Sequence, residues 1–554
     1  MKDLYPRPQM ARDSFFLLDG DWELVWVDET GHRTQATVKV PYSPEAEASR
    51  FSPEEVISPT LRINTFMRYC REVVFPEDVD FSKERLFLNF GAVDYRAIIY
   101  IDSVRVLEHT GGFLPFSVEV NKRSFVLEVS VFDPSDSLPV VRGKQSRNPG
   151  GIWYPAQSGI WQSVWMEKTP KDYIKSFDIT PDLEGFVISV ETSSQTGGTV
   201  EIEGKKISFE SGKKTRVNIE NPLLWSPEHP HLYNFTIRSG EDCVSSYAAL
   251  RTFGIKDGRL QLNGKNYFNH GLLDQGYWKG GLYTPLSDSQ MTEDILLAKR
   301  LGFNTLRKHI KVESLRWYYH CDRLGILVWQ DMVSGGGKYN KFFHSAPLFT
   351  GSFLNDRDPL AQKKMGSDDL EYKKEWLNTA LETIRLLKNS PSVVMWVAFN
   401  EGWGQFDSSH VCSILEKEDP SRPVDYTSGW HDQGDGPFKS VHCYFRPYRF
   451  KKDKAARCVI LSEFGGYGLK LEETEKKNFT YRKLSSREEL TRAIMELYEK
   501  EIIPAKQKGL AASIYTQLSD VEQETNGLVT YDRKTVKVLE EPMRMISEKL
   551  CDRV

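Results

Sequence analysis

Apolar and polar residues alternate in short runs over the first third of the chain. Examples are Trp22-Glu23-Leu24-Val25-Trp26, Arg85-Leu86-Phe87-Leu88-Asn89-Phe90 and Ala97-Ile98-Ile99-Tyr100-Ile101. A period of two buries one face of a strand and wets the other, and the Gly, Pro and Asp between runs supply turns. With no long helical period from residue 14 to about 168, the pattern predicts a β-sandwich. Short strands continue to about residue 253 (Phe186-Val187-Ile188-Ser189-Val190, Leu232-Tyr233-Asn234-Phe235-Thr236), enough for a small second sandwich. After Gly254 the texture changes. Apolar runs alternate with helical patterns, the mark of βαβ units around a parallel sheet. Eight strands are expected: Tyr267–Asp274, Thr305–His309, Leu327–Asp331, Val393–Asn400, Val424–Trp430, Val441–Phe445, Val459–Phe464 and Ser513–Leu518. Helical spacing marks Thr292–Leu301, Tyr372–Leu387 and Arg487–Lys506, the last preceded by Ser485 and Glu488 at capping-box spacing. The links after the fifth and sixth strands are short and leave little room for helix. Eight such repeats predict a TIM barrel.

Composition removes several functions. The chain has 554 residues, a net charge of −4 and no long basic run, which argues against nucleic acid or an anionic membrane as partner. No stretch approaches the ~20 apolar residues of a membrane span. Met1 to Met10 is polar and Pro-rich, without the apolar segment of a secretory signal. The seven cysteines are scattered, odd in number and without a CxxC pair, which suits reduced thiols and predicts a cytoplasmic setting.

Barrel chemistry gathers at the C-terminal ends of the strands. The fourth expected strand is nearly all apolar and ends in Asn400-Glu401, and the seventh ends in Ser462-Glu463 before Phe464-Gly465-Gly466. Either glutamate alone could close a strand in a salt bridge. Two of them, aimed into one mouth, are the minimum apparatus for glycoside hydrolysis: a protonated acid at the leaving oxygen and an anion at the anomeric carbon. Other strand ends carry Arg307, His309, Asp331, Trp430, His442, Tyr444, Gln517 and Asp520. The first ends in Asp274-Gln275-Gly276-Tyr277-Trp278, offering an acceptor, a donor and aromatic faces to a sugar. The histidines lack HxxxH or HExxH spacing, and no Gly-rich phosphate loop appears, so neither a metal nor a nucleotide cofactor is expected. Ser334-Gly335-Gly336-Gly337 reads as a mobile active-site loop.

These residues resemble glycoside hydrolase family 2, the β-galactosidase, β-glucuronidase and β-mannosidase group, over nearly the whole chain. The resemblance is carried by Leu18-Asp19-Gly20-Asp21-Trp22, Asn89-Phe90-Gly91-Ala92-Val93-Asp94-Tyr95, Gly151-Ile152-Trp153-Tyr154, Ser158-Gly159-Ile160-Trp161-Gln162, Leu224-Trp225-Ser226-Pro227, Arg251-Thr252-Phe253-Gly254, Gly302-Phe303-Asn304-Thr305-Leu306-Arg307, Asn400-Glu401 and Ser462-Glu463-Phe464-Gly465. It implies a multidomain fold: a jelly-roll sugar-binding-like domain over 1–168, an immunoglobulin-like β-sandwich over 169–254 and a catalytic TIM (β/α)8 barrel over 255–554. It also implies Glu401 as acid/base, Glu463 as nucleophile, Asn400 as partner of the sugar 2-hydroxyl, Tyr444 as the group orienting Glu463, and Arg307 beneath the nucleophile. Many members carry His three residues after the strand-two Arg. Here that position is Ile310, with His309 one earlier. Glucuronidases carry an Asn-Lys pair after strand eight, and the matching stretch here, around Asn526-Gly527-Leu528, lacks the Lys.

The expectation is a retaining exo-β-glycosidase acting on a terminal neutral sugar, galactoside foremost, with Asp274, Gln275, Asp331, His309, His442, Trp430 and Gln517 lining the sugar site. A β-mannosidase or β-glucuronidase is the alternative within the class, and a non-catalytic glycan-binding protein the alternative outside it. A binding protein has no need of both Glu401 and Glu463. The expected partner is a carbohydrate substrate, and a homo-oligomer stays open.

Overall fold

The computed structural model describes residues 5–27, 31–50, 66–338, 353–469 and 479–551. Among these, every α-helix lies after residue 287. The first sandwich packs a four-stranded sheet, ordered 15–17, 164–170, 84–90 and 116–120, with a six-stranded sheet built from 20–27, 33–40, 66–74, 96–101, 104–110 and 124–132. Leu24, Tyr69, Leu88, Ile99, Leu127 and Met166 fill its core. A three-stranded and a four-stranded sheet between residues 174 and 248 enclose a second core around Phe186, Ile188, Phe235 and Ile237.

Eight parallel strands follow: β1 (Asn269–Asp274), β2 (Thr305–Lys308), β3 (Leu327–Asp331), β4 (Val393–Asn400), β5 (Val424–Ser428), β6 (Phe438–Cys443), β7 (Cys458–Gly465) and β8 (Ala512–Thr516). The sheet order is β5-β4-β3-β2-β1-β8-β7-β6, one circuit of a near-closed barrel. β5 and β6 share no ladder among the described residues. Hydroxyls and a ring bridge that seam instead: Ser428 Oγ lies 2.9 Å from His442 Nε2 and 3.4 Å from Ser440 Oγ. β3 and β4 are buried at every position, as parallel strands covered on both faces must be. Leu273, Trp329, Met395, Val397, Ile460 and Ile514 belong to one buried core within the barrel.

The helices Asp288–Arg300 and Leu370–Leu387 match their predicted spacing, the latter capped by Asp369, which accepts from the Tyr372 amide. The third begins at Arg487 and changes to a π-helical turn over Tyr498–Ile502 before Ile503–Lys508. Its cap sits one residue later than predicted: Ser486 Oγ accepts from Glu489 N–H, and Glu489 accepts from the Ser485 amide at 2.8 Å. The links after β5 and β6 hold no helix among the described residues.

One expectation is corrected here. Gly335 and Gly336 are pinned rather than mobile: they pair antiparallel with Val141 and Val140, which lie between strands 124–132 and 164–170 of the first sandwich. A Cβ on Gly335 would lie 2.0 Å from the Val140 carbonyl oxygen, so glycine is what lets the two backbones meet. This contact ties the first sandwich to the barrel mouth.

Candidate active site

β4 delivers Asn400 at its last position and Glu401 just beyond. Glu401 turns into the left-handed region (φ 50°), held there by its amide donating to Ser428 O at 2.9 Å. A non-glycine residue pays conformational strain in that region, and such strain persists where the surroundings impose it. β7 delivers Glu463, buried like Glu401. His442 Nδ1 lies 2.8 Å from Glu401 Oε1 and 3.6 Å from Glu463 Oε2. One oxygen of each glutamate and one ring nitrogen of His442 lie within 4.8 Å of one another. That spacing also suits a cation, although the ring and Glu401 are already at hydrogen-bond distance.

Arg307, wholly buried, organises the floor. It grips Asp331 through two hydrogen bonds (2.9 and 3.0 Å), donates to Glu463 Oε1 at 3.2 Å, and donates to Asn400 Oδ1 at 2.8 Å. Burial alone would discharge a guanidinium, but Asp331 and Glu463 outweigh it and hold the charge firmly. Tyr444 donates to Glu463 Oε2 at 2.7 Å; burial first, and then the charge of Glu463, push its hydroxyl well above the usual phenol range, so it remains a donor. Asn400 Nδ2 is buried with no partner among the described residues, a free donor at the place where a sugar hydroxyl is expected. His309 is held well below the usual histidine range by burial and by the charge of Lys144, so its neutral ring donates Nδ1–H to Asp331 at 2.8 Å.

The expected residues divide into two groups. Glu401, Glu463, Asn400, Tyr444, Arg307, Asp331, His309 and His442 form one connected cluster, and the Trp430 ring lies tilted at 5.4 Å from that of His442 with its Nε1–H unpartnered among the described residues. Gln275 and Gln517 pair with each other at 2.7 Å, and Gln517 donates onward to Asn526 Oδ1 at 2.8 Å. Asp274 meets the cluster through its backbone, its carbonyl accepting from the His309 amide at 2.9 Å. Its carboxylate is engaged by Lys308 Nζ at 2.8 Å and the Gly276 amide at 2.9 Å, in a buried network with Glu313 and Lys311.

Sequence reading missed a second layer. Trp403 stacks on Trp153 of the first sandwich at 4.8 Å and meets the His309 ring edge-on. Tyr481 stacks on Tyr444 at 4.1 Å, near enough to feel the charges of Glu401, Glu524 and Glu463. Lys144 projects its ammonium to 5.4 Å from the Trp403 ring centre. Trp403 follows Asn400-Glu401 closely in sequence and could have been flagged. Lys144 carries no local signal. A separate cavity of about 380 Å³, lined by Asp19, Trp161, Tyr283 and Arg316 among others, contains none of the expected site residues.

Two family models match the chain: "Glycosyl hydrolases family 2, TIM barrel domain" over residues 253–546 and "Glycosyl hydrolases family 2" over residues 174–256. The chain belongs to glycoside hydrolase family 2. It has the family's N-terminal β domains and barrel. The β-glucuronidase of Pongo abelii is 24% identical over 439 residues, covering 70% of this chain and 63% of that protein, so the match spans just under two thirds of the relative's length. The β-D-glucuronidase structure from Dictyoglomus thermophilum superposes with a TM-score of 0.73 at 18% identity, covering 98% of each chain. A family 2 β-galacturonidase from Eisenbergiella tayi, bound to galacturonate, superposes at 0.70 with 18% identity and 99% of each chain. Cys70, Cys243, Cys321, Cys412, Cys443 and Cys458 are free thiols, and no described helix is long and apolar enough to cross a membrane.

Proposed function

We propose that the protein is a retaining exo-β-glycosidase that releases a terminal β-linked hexuronic acid. The observation that carries the mechanism is the short approach of the Glu401 and Glu463 carboxyl oxygens, within 4.8 Å. Retaining enzymes hold the two carboxyls about 5–5.5 Å apart, whereas inverting ones need about 6.5–9.5 Å to seat a water.

In the first step Glu401 gives its proton to the glycosidic oxygen while the Glu463 carboxylate attacks the anomeric carbon. The C–O bond to the aglycone breaks and a glycosyl ester forms. Glu401, now a carboxylate, takes a proton from water, whose oxygen bonds to the anomeric carbon and releases Glu463. Two inversions give net retention. Arg307 and Tyr444 direct a cation and a hydrogen bond at Glu463, which favours the anion it needs to be. His442 positions Glu401. Asn400 Nδ2 is available to the sugar 2-hydroxyl, where hydrogen bonds strengthen in the transition state.

The choice of sugar departs from the galactoside expected of the sequence. The relatives described above are β-glucuronidases and a β-galacturonidase, which supports a uronide. The second reading, a neutral galactoside, keeps one observation in its favour: the buried lysine after β8, Lys537, is committed to Asp520 and the Thr525 carbonyl, and Asn526 is turned towards Gln517 and Glu524. Matched aryl β-glucuronide, β-galacturonide, β-galactoside and β-mannoside separate the readings. The proposal requires the highest kcat/KM on a uronide; preference for a neutral sugar rejects it.

A further inference from the structure

We propose that Lys144, carried into the barrel mouth by the chain that leaves the first sandwich, is the cation that reads the substrate carboxylate, in place of a lysine after β8. The inference rests on the uronide reading above.

The placement is imposed by the backbone. Val140 and Val141 pair with Gly336 and Gly335, the Arg142 and Gly143 amides both donate to Ser334 O (3.2 and 2.8 Å), and Lys144 O accepts from the Tyr154 amide at 3.1 Å. Gly143 has φ +67°, and a Cβ there would lie 2.9 Å from Ile310 O. Only glycine lets the turn press against the residue after His309. The lysine that follows is thus delivered beside the catalytic cluster. Its ammonium lies 5.4 Å from the Trp403 ring centre and 5.5 Å from that of Tyr154, and its charge reaches the His309 ring. Trp403 lies two residues beyond Glu401.

Lys144 is 6% exposed, yet among the described residues its ammonium has neither a carboxylate partner nor a hydrogen-bond acceptor. The other buried lysines are paired: Lys308 with Asp274 and Glu313, Lys311 with Glu313, Lys537 with Asp520. The carboxylate of the β8 loop, Glu524, is committed elsewhere, one oxygen to the Tyr154 hydroxyl and the other to Asn526 Nδ2. A lysine this little exposed, with no anion opposite its ammonium among the described residues, is left holding an unused charged donor. The aromatic face of Trp403 attracts that charge. A hexuronate carboxylate entering the mouth would complete the pairing with a charge-assisted hydrogen bond, while a neutral sugar offers only a hydroxyl. Lys308 and Lys311, at the end of β2, are locked in their own network, and Lys338, after β3, is exposed.

The test is Lys144→Met, with Lys144→Gln as a second variant should the first fold poorly. kcat/KM is measured on aryl β-glucuronide and β-galactoside, and the melting temperature with and without free D-glucuronate. The uronide-to-galactoside ratio of kcat/KM should fall about 100-fold, the size expected for one charged hydrogen bond. D-glucuronate should raise the melting temperature of the wild type and not of the variant. If the wild type prefers the glucuronide and the variant keeps the same ratio, Lys144 is not the reader while the uronide reading stands. If the wild type cleaves only neutral glycosides, both fall.

Discussion

Arg307→Leu should destabilise the barrel and silence the enzyme by the same route. The side chain is fully buried and makes hydrogen bonds to Asp331, Glu463, Asn400 and the Ser462 carbonyl. Leucine fills much of the volume but leaves Asp331 and Glu463 without their shared cation. Removing one partner of a buried ion pair costs about 3–5 kcal/mol. His309 still donates to Asp331, and Tyr444 still donates to Glu463, so the lower end applies. At roughly 2–4 °C per kcal/mol for a domain of this size, a loss of about 3 kcal/mol lowers the barrel's melting temperature by about 6–12 °C. Differential scanning calorimetry reads this directly, with the barrel transition followed separately from the β domains. The double variant Arg307→Leu/Asp331→Leu removes both sides of the strongest pair. It should recover at least ~1 kcal/mol of the loss, since an apolar replacement of a whole buried pair is often neutral, but no activity. A single variant that melts within about 2 °C of wild type, or a double variant that loses the sum of two large single penalties, would refute this account of the floor.

Glu401→Ala should slow hydrolysis of a poorly activated alkyl glycoside by at least ~100-fold more than that of a dinitrophenyl glycoside, because an activated phenolate leaves without a proton; equal losses in steady-state kinetics would remove Glu401 from the acid role. The buried carboxyl of Asp133 is pushed up to about 6, chiefly by burial. Since the folded protein binds that proton more tightly than the unfolded chain, the contribution is present below about pH 4 and is lost as pH rises to about 6. Asp133→Asn should therefore gain stability relative to wild type between pH 4 and 7 in thermal melts, and a constant difference across that window would contradict the assignment.

The fold was legible where burial leaves a periodic trace. β4 is covered on both faces, so Val393 to Phe399 had to be apolar, and the abrupt Asn400-Glu401 marked the mouth. β6 was harder. It begins at Phe438 and includes Lys439 and Ser440, so the apolar run starts late, and Tyr444 falls beyond its end. The serine closes a hydrogen-bonded seam with Ser428, a role that leaves no hydrophobic signature. Register at the helix Arg487–Leu497 slipped by one because Ser485 and Ser486 both satisfy the capping pattern. Asp274 looked like a sugar ligand from its place at a strand end, but the buried Lys308 beside it claims its charge. The Gly335-Gly336 pair signalled flexibility when it supplies close backbone approach, and Lys144, in the first sandwich while the glutamates are in the barrel, becomes a site residue only through that approach.

The central claim, that Glu463 forms a covalent bond to a uronic acid, is tested most directly by trapping it. A 2-deoxy-2-fluoro-β-glucuronyl fluoride slows both steps but keeps a good leaving group, so the ester should accumulate. Proteolysis and mass spectrometry should then find one fluoroglucuronyl group on the peptide spanning residues 458–465, at Glu463, and no label in Glu463→Ala. A label on another carboxylate, or no label while the wild type turns over a β-glucuronide to the α-anomer, would contradict the account.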